Sequence, residues 1–143
     1  MNILACLDSP ENSRELIAKA EQLAVAMEAK LWLLHVVEAD PDFVGFDVGP
    51  QSVRDTLAKE FQEEHDWLQQ ESASLRKKKV DAQALVVQGG VAEIILKELE
   101  KRAADIVIVG SHSSHKIKNL ILGSVSNEVV RRSAKPVLLV PLQ

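Results

Sequence analysis

Five short apolar runs punctuate the chain: Ile3–Leu7, Leu31–Val37, Ala82–Val87, Ile106–Val109 and Val137–Val140. Each has the length of a strand and is continuous rather than alternating, the pattern of strands buried on both faces. Between them apolar positions recur at helical spacing. Asn12–Met27 sets Leu16, Ile17, Ala20, Leu23, Ala24 and Met27 on one face, with Ser13 or Asn12 expected to cap its start. Gln51–Lys79 reads as a longer helix, with Val53, Leu57, Phe61, Leu68 and Leu75 on one side. Its closing basic run, Arg76–Lys79, suits the negative end of the helix dipole and reads as a solvated helix end. Val91–Ala103 and Ser124–Ser133 complete the set. Strand and helix therefore alternate, and each connection is long enough for a right-handed parallel crossover. The expected fold is α/β: an open, mainly parallel five-stranded sheet with helices on both faces.

Composition narrows the setting. The 143 residues make one domain, 1–143, without repeats. A hydrophobic content of 46% and a net charge of −4 exclude a disordered chain. Two Trp, three Phe and no Tyr leave the core to aliphatic side chains. The single cysteine, Cys6, excludes an intrachain disulfide framework and a multi-cysteine metal site. It lies mid-strand, where a buried, inert thiol is expected. No apolar run reaches the ~18 residues of a membrane span, and a pI near 5.6 disfavours nucleic acid as a partner. The opening MNILACLD has no basic stretch or cleavage site, so the expected setting is the cytoplasm. Glu38–Pro50, rich in Asp, Gly and Pro, is the longest expected loop.

Candidate chemistry gathers at the expected carboxyl ends of the strands, where open parallel sheets bind ligands. The first strand is expected to end at Asp8 and the fourth at Gly110. After Gly110 comes SHSSHKIKNLIL, then Gly123-Ser124-Val125-Ser126 opening the last helix. A helix N-terminus offers free N–H groups and positive partial charge; glycine allows an anion to approach, and serine hydroxyls add donors. Ser111–Lys135 carries +4 against −8 for the remaining chain. An ordinary surface loop before a capped helix explains the same residues, and both readings stay open here. His112 and His115 stand three apart with no carboxylate or third histidine nearby in sequence, so no metal site is expected. His35, inside an apolar strand, is expected to be a hydrogen-bonded core residue. There is no GxxxxGK[ST] loop and no GxSxG elbow, so no catalytic residue is assigned.

The block GSHSSHKIKNLILGSVSNEVVRRSAKPVLLVP resembles the C-terminal signature of the universal stress protein family. The resemblance extends to ILACLDSPENSRELIAKAEQLA, LLHVVE and GGVAEIILKELEKRAADIVIVGSH; it spans most of the chain and leaves out the Glu38–Lys79 region. It implies a Rossmann-like fold of the adenine nucleotide alpha hydrolase type. In the family's ATP-binding branch a glycine, two residues, a second glycine, nine residues and a third glycine precede Ser or Thr. Gly110, Gly123 and Ser124 match; Ser113 stands where the second glycine belongs. If that position needs positive φ, serine costs ~1–2 kcal/mol, and ~1.4 kcal/mol weakens binding about tenfold.

Carried over by position, the resemblance places Asp8 at the adenine or ribose and Val36 in the adenine pocket. Val109 and Gly110 would lie against ribose and α-phosphate, and Ser113, Gly123, Ser124, Val125 and Ser126 around the phosphates. The implied ligand is ATP or AMP, with Mg²⁺ or Mn²⁺ on the phosphates. The implied assembly is a homodimer joined through the C-terminal strand. The role that follows is a stress-response sensor or signalling module with a protein partner still to be named. Nucleotide would order the Gly110–Gly123 loop and bias a surface that this partner sees. Two alternatives stand beside it: a nucleotide-free interaction module, and a slow ATP hydrolase.

Overall fold

The computed structural model describes residues 1–38, 51–112 and 123–142, with residues 51–57 and 112 described by their backbone alone. Strand and helix alternate as β1 (Asn2–Leu7), α1 (Pro10–Met27), β2 (Lys30–Val37), α2 (Gln51–Lys77), β3 (Ala82–Gln88), α3 (Val91–Lys101), β4 (Ile106–His112), α4 (Ser124–Arg132) and β5 (Val137–Leu142). The strands form one sheet in the order β3-β2-β1-β4-β5, and every pairing is parallel. The chain winds outward from β1 to β3, then returns to β4 on the other side of β1. Strand order therefore reverses between β1 and β4, the place where such sheets open a crevice.

Alternate residues of each strand feed two cores, as the two-residue period of a strand requires. Ile3, Ala5 and Leu7 join Leu31, Leu33 and Ile108 beneath Leu16, Ile17 and Ala20 of α1 and Leu68 and Leu75 of α2. Leu4, Trp32, Leu34, Val107 and Val109 pack on Ala92, Ile95 and Leu99 of α3 and Val129 of α4. This is why the apolar runs are continuous: both faces of the sheet are covered. Among the described residues, no helix is long and apolar enough to cross a membrane.

The element ends depart from expectation in three ways. Helix α1 begins at Pro10, with Ser9 as its N-cap and no side-chain cap bond, instead of being capped by Asn12 or Ser13. Proline at the first helical position has its φ preset and no N–H to satisfy, which moves the start forward. Strand β4 runs to His112, past Gly110, because Ser111 and His112 pair with Pro141 and Leu142 of β5. Helices α2 and α3 stop at Lys77 and Lys101, two residues short of the expected Lys79 and Ala103, while α1 ends at Met27 as expected. Glu28, Lys79 and Ala103 then take left-handed φ values of 50°, 67° and 49°. One residue further on, the N–H of Ala29, Val80 and Ala104 bonds back to the carbonyl of Ala24, Leu75 and Leu99. All three of these following residues are buried. The three helices thus share one terminating motif. The basic end of α2 is also more than a solvated surface, since Arg76 donates to the Ala82 carbonyl at 3.0 Å.

Candidate functional site

A cleft of about 520 Å³ opens at the carboxyl end of the sheet, where strand order reverses. Its size is that of a small-molecule site. Of the residues picked from sequence, Asp8, Val36, Val109, Gly110, Gly123, Ser124, Val125 and Ser126 all line it. Ser113, His115, Lys116, Lys118 and most of the Glu38–Pro50 loop lie outside the described residues.

Three helices begin at or beside this cleft. Their N-cap residues, Ser9 of α1, Gly90 of α3 and Gly123 of α4, make no side-chain cap bond. Among the described residues, each start therefore leaves backbone N–H groups without a partner from its N-cap side chain, and each adds positive partial charge. Gly123 has φ −61°, and among the described residues a β-carbon built on it meets nothing within 4 Å. That φ is one any residue adopts, so backbone strain is not what calls for glycine here. Ser124 beside it is exposed. Ser126 is buried, and its Oγ donates to the Gly110 carbonyl at 2.9 Å. That bond ties the first turn of α4 to β4. At its other end α4 is tied to α3 by Arg132, whose Nη1 lies 2.5 Å from Glu93 Oε1 and 2.8 Å from Glu128 Oε1. The Arg132 bond and charge hold the Glu93 carboxyl below the usual carboxylate range.

Gly110 has a different reason to be glycine. A β-carbon there would overlap Leu142 Cδ1 and lie 3.0 Å from Leu142 Cγ. Leu142, from β5, also lines the cleft.

At the opposite wall, His35 is buried and in hydrogen-bond contact with the core, as expected from its place in β2. Its Nδ1 lies 3.0 Å from the Leu7 carbonyl oxygen, which only accepts, so Nδ1 carries the hydrogen. Nε2 on the other side stands 3.2 Å from Glu64 Oε2. The ring meets Trp67 edge-on, with centroids 6.1 Å apart. His35 thus joins the end of β1 to α2 and brings the Glu64 carboxylate to the cleft wall. Cys6 lines the same space and is half-buried, not fully buried as expected, and its desolvation pushes the thiol up and keeps it protonated.

Sequence reading missed the side chains that α1, α2 and β5 lend to the cleft: Ser13, Glu64 and Leu142. Two of them did leave a signal. Ser13 extends the Leu16–Ile17–Ala20 stripe backward by three and four residues, and Glu64 sits between Phe61 and Leu68 on the apolar side of α2. A polar residue on an apolar stripe is what marked both. Leu142 left none, because nothing local to it points at Gly110.

The fold has relatives among known proteins. The family model for the universal stress protein family matches residues 1–141. Universal stress protein A homolog 2 of Coxiella burnetii is 32% identical over 144 residues, covering 99% of this chain and 94% of that protein. Universal stress protein UspA from Lactobacillus plantarum superposes with a TM-score of 0.78 at 18% identity, over 98% of this chain and 97% of its own. The Archaeoglobus fulgidus universal stress protein in complex with dAMP superposes with a TM-score of 0.69 at 14% identity, over 100% and 98%. At these identities the two structures establish the shared fold. With its Rossmann-like α/β fold and a family match spanning nearly every residue, the chain belongs to the universal stress protein family.

Proposed function

We propose that the cleft binds an adenine nucleotide, ATP or AMP, and that the protein acts as a dimeric stress-response sensor in the cytoplasm. The observation that carries the reading is the grouping of helix starts without side-chain caps at one cleft, beside the open approach at Gly123. Backbone N–H groups and helix dipoles are what a phosphate chain needs. The apolar wall at Val36 and Val109 suits a base, and Asp8 supplies an acceptor for a ribose hydroxyl or an exocyclic amine. The Archaeoglobus relative with bound dAMP supports the choice of ligand.

A divalent cation, Mg²⁺ or Mn²⁺, would be held mainly by the phosphates themselves. Among the described residues no three His, Cys, Asp or Glu side chains are grouped to hold a metal. Homodimerisation is proposed through β5, which among the described residues pairs on one side only, with β4. An apolar edge of this kind favours pairing with a second copy.

Calorimetric titration of nucleotide-stripped protein with ATP and Mg²⁺ tests the ligand. Micromolar binding at about one ATP per chain is expected. No binding at millimolar ATP by folded protein would refute the nucleotide reading and leave a module that works through its surface.

A further inference from the structure

We propose that Ser13 is a ligand-binding residue of this cleft, its hydroxyl donating a hydrogen bond to an oxygen of the bound nucleotide. The inference rests on the nucleotide reading above and adds a contact from α1.

Ser13 is the fourth residue of α1 and only 1% exposed, and it lines the cleft. Its Oγ is buried and has no hydrogen-bond partner among the described residues. Serine within a helix commonly returns its hydroxyl to the carbonyl of the preceding turn; this one does not. A buried hydroxyl without a partner destabilises a fold. The rest of its stripe, Leu16, Ile17 and Ala20, is apolar and buried, so a methyl group would pack there without that cost. The hydroxyl finds its acceptor in whatever fills the cleft.

The acceptor's chemistry follows from the surroundings. Ser13 lies in the first turns of a helix whose N-cap Ser9 makes no side-chain bond, a place of positive partial charge. The carboxylate of Asp8, also lining the cleft, accepts a hydroxyl hydrogen, as a ribose would supply. An oxygen acceptor of the nucleotide fits, either a phosphoryl oxygen or a ribose hydroxyl. Trp32 Nε1, His65 Nδ1 and Ser111 Oγ are likewise buried without partners among the described residues, but none of these residues lines the cleft; Glu64 Oε2 does, and it stands 3.2 Å from His35 Nε2.

The test titrates wild type, Ser13→Ala and Ser13→Thr with ATP, AMP and adenosine, and melts each protein without ligand. Ser13→Ala is expected to weaken ATP binding about three- to tenfold and to melt no lower than wild type, because the hydroxyl it loses has no protein partner. Ser13→Thr keeps the donor and the affinity. Loss for ATP and AMP but not adenosine assigns the phosphoryl oxygen; equal loss for all three assigns the ribose. Wild-type affinity in Ser13→Ala overturns the Ser13 contact while leaving nucleotide binding intact. A lowered melting temperature with unchanged affinity overturns it too, by making Ser13 structural. If wild type binds none of the three, the nucleotide reading falls and this contact with it.

Discussion

Leu142, in the last strand, fills the space beside Gly110 that a β-carbon would need. The two residues are not direct register partners, since Gly110 pairs with Val140 and Leu142 with His112. The Leu142 side chain reaches back along the sheet to cover the glycine. Gly110→Ala is therefore expected to destabilise the protein by about 1–3 kcal/mol through overpacking, before any ligand is considered. Leu142→Ala opens a cavity on its own, but combined with Gly110→Ala it relieves the overlap. The double variant should be more stable than the sum of the singles predicts by about 1 kcal/mol or more. Denaturant melts of all four proteins measure this; strict additivity would show that the contact does not govern the glycine.

Gly123 should behave in the opposite way. With φ −61° and, among the described residues, no atom within 4 Å of its β-carbon position, it is expected to accept a side chain. Gly123→Val is expected to lower stability by no more than about 1 kcal/mol, the difference between glycine and a poor N-cap residue. The same change sets a branched side chain over the free N–H groups of α4. ATP affinity should fall at least tenfold, read by calorimetry alongside the melt. Unaltered affinity would move the phosphates away from α4.

These two glycines mark how far the sequence was legible. Apolar runs located all five strands, because strands buried on both faces announce themselves residue by residue. The cleft's position followed from the rule that such sheets bind ligands at the carboxyl ends of their strands, and the Gly110 and Gly123–Ser126 neighbourhoods followed from motif spacing. What stayed hidden was long-range. The Gly110–Leu142 contact joins residues 32 apart, and the buried Ser126 hydroxyl reaches a carbonyl on another element. The ends of α2 and α3 were misplaced for a related reason, although that of α1 at Met27 was not. Glu28, Lys79 and Ala103 adopt a conformation that sequence reading assigns to glycine, and the buried Ala29, Val80 and Ala104 that follow hold them there.

That terminating motif carries its own test. Ala103 is exposed, has φ 49° and makes no use of its methyl group in the core. Glycine adopts this conformation without the β-carbon penalty. Ala103→Gly is expected to stabilise the protein by about 0.5–1 kcal/mol, the penalty less the greater entropy glycine brings to the unfolded chain. A lower melting temperature would mean that the left-handed turn is not what ends α3.

Glu93 and Arg132 predict a pH dependence. The hydrogen bond from Arg132, and then its charge, lower the Glu93 carboxyl below its ordinary range. A carboxyl depressed in the folded state stabilises the fold above the unfolded-state value, and that contribution disappears as pH falls through the folded one. In Arg132→Gln the Glu93 titration, followed by NMR, should move up into the ordinary glutamate range. Any stability advantage of wild type over the variant should shrink as the solution is acidified through that range. The pair is exposed, so added salt should reduce the advantage at neutral pH as well. A Glu93 titration unchanged by the substitution would leave α4 without this tie to α3.

The last prediction concerns the edge of the sheet. Leu139 is half-buried on β5 and packs against the core on the α3–α4 side. Pro141, further along the same strand, is exposed and lacks an N–H, which restricts any pairing across this edge to the residues before it. Wild type is expected to sediment as a dimer at micromolar concentration, and Leu139→Lys as a monomer, because a buried ammonium at the seam would be left without a partner. Since Leu139 also touches the core, the variant's melt must show a cooperative transition before its sedimentation is interpreted. A folded Leu139→Lys protein that remains dimeric would place the interface on another surface. A wild type that is monomeric at these concentrations would remove the dimer from the proposed function and leave nucleotide binding to be judged alone.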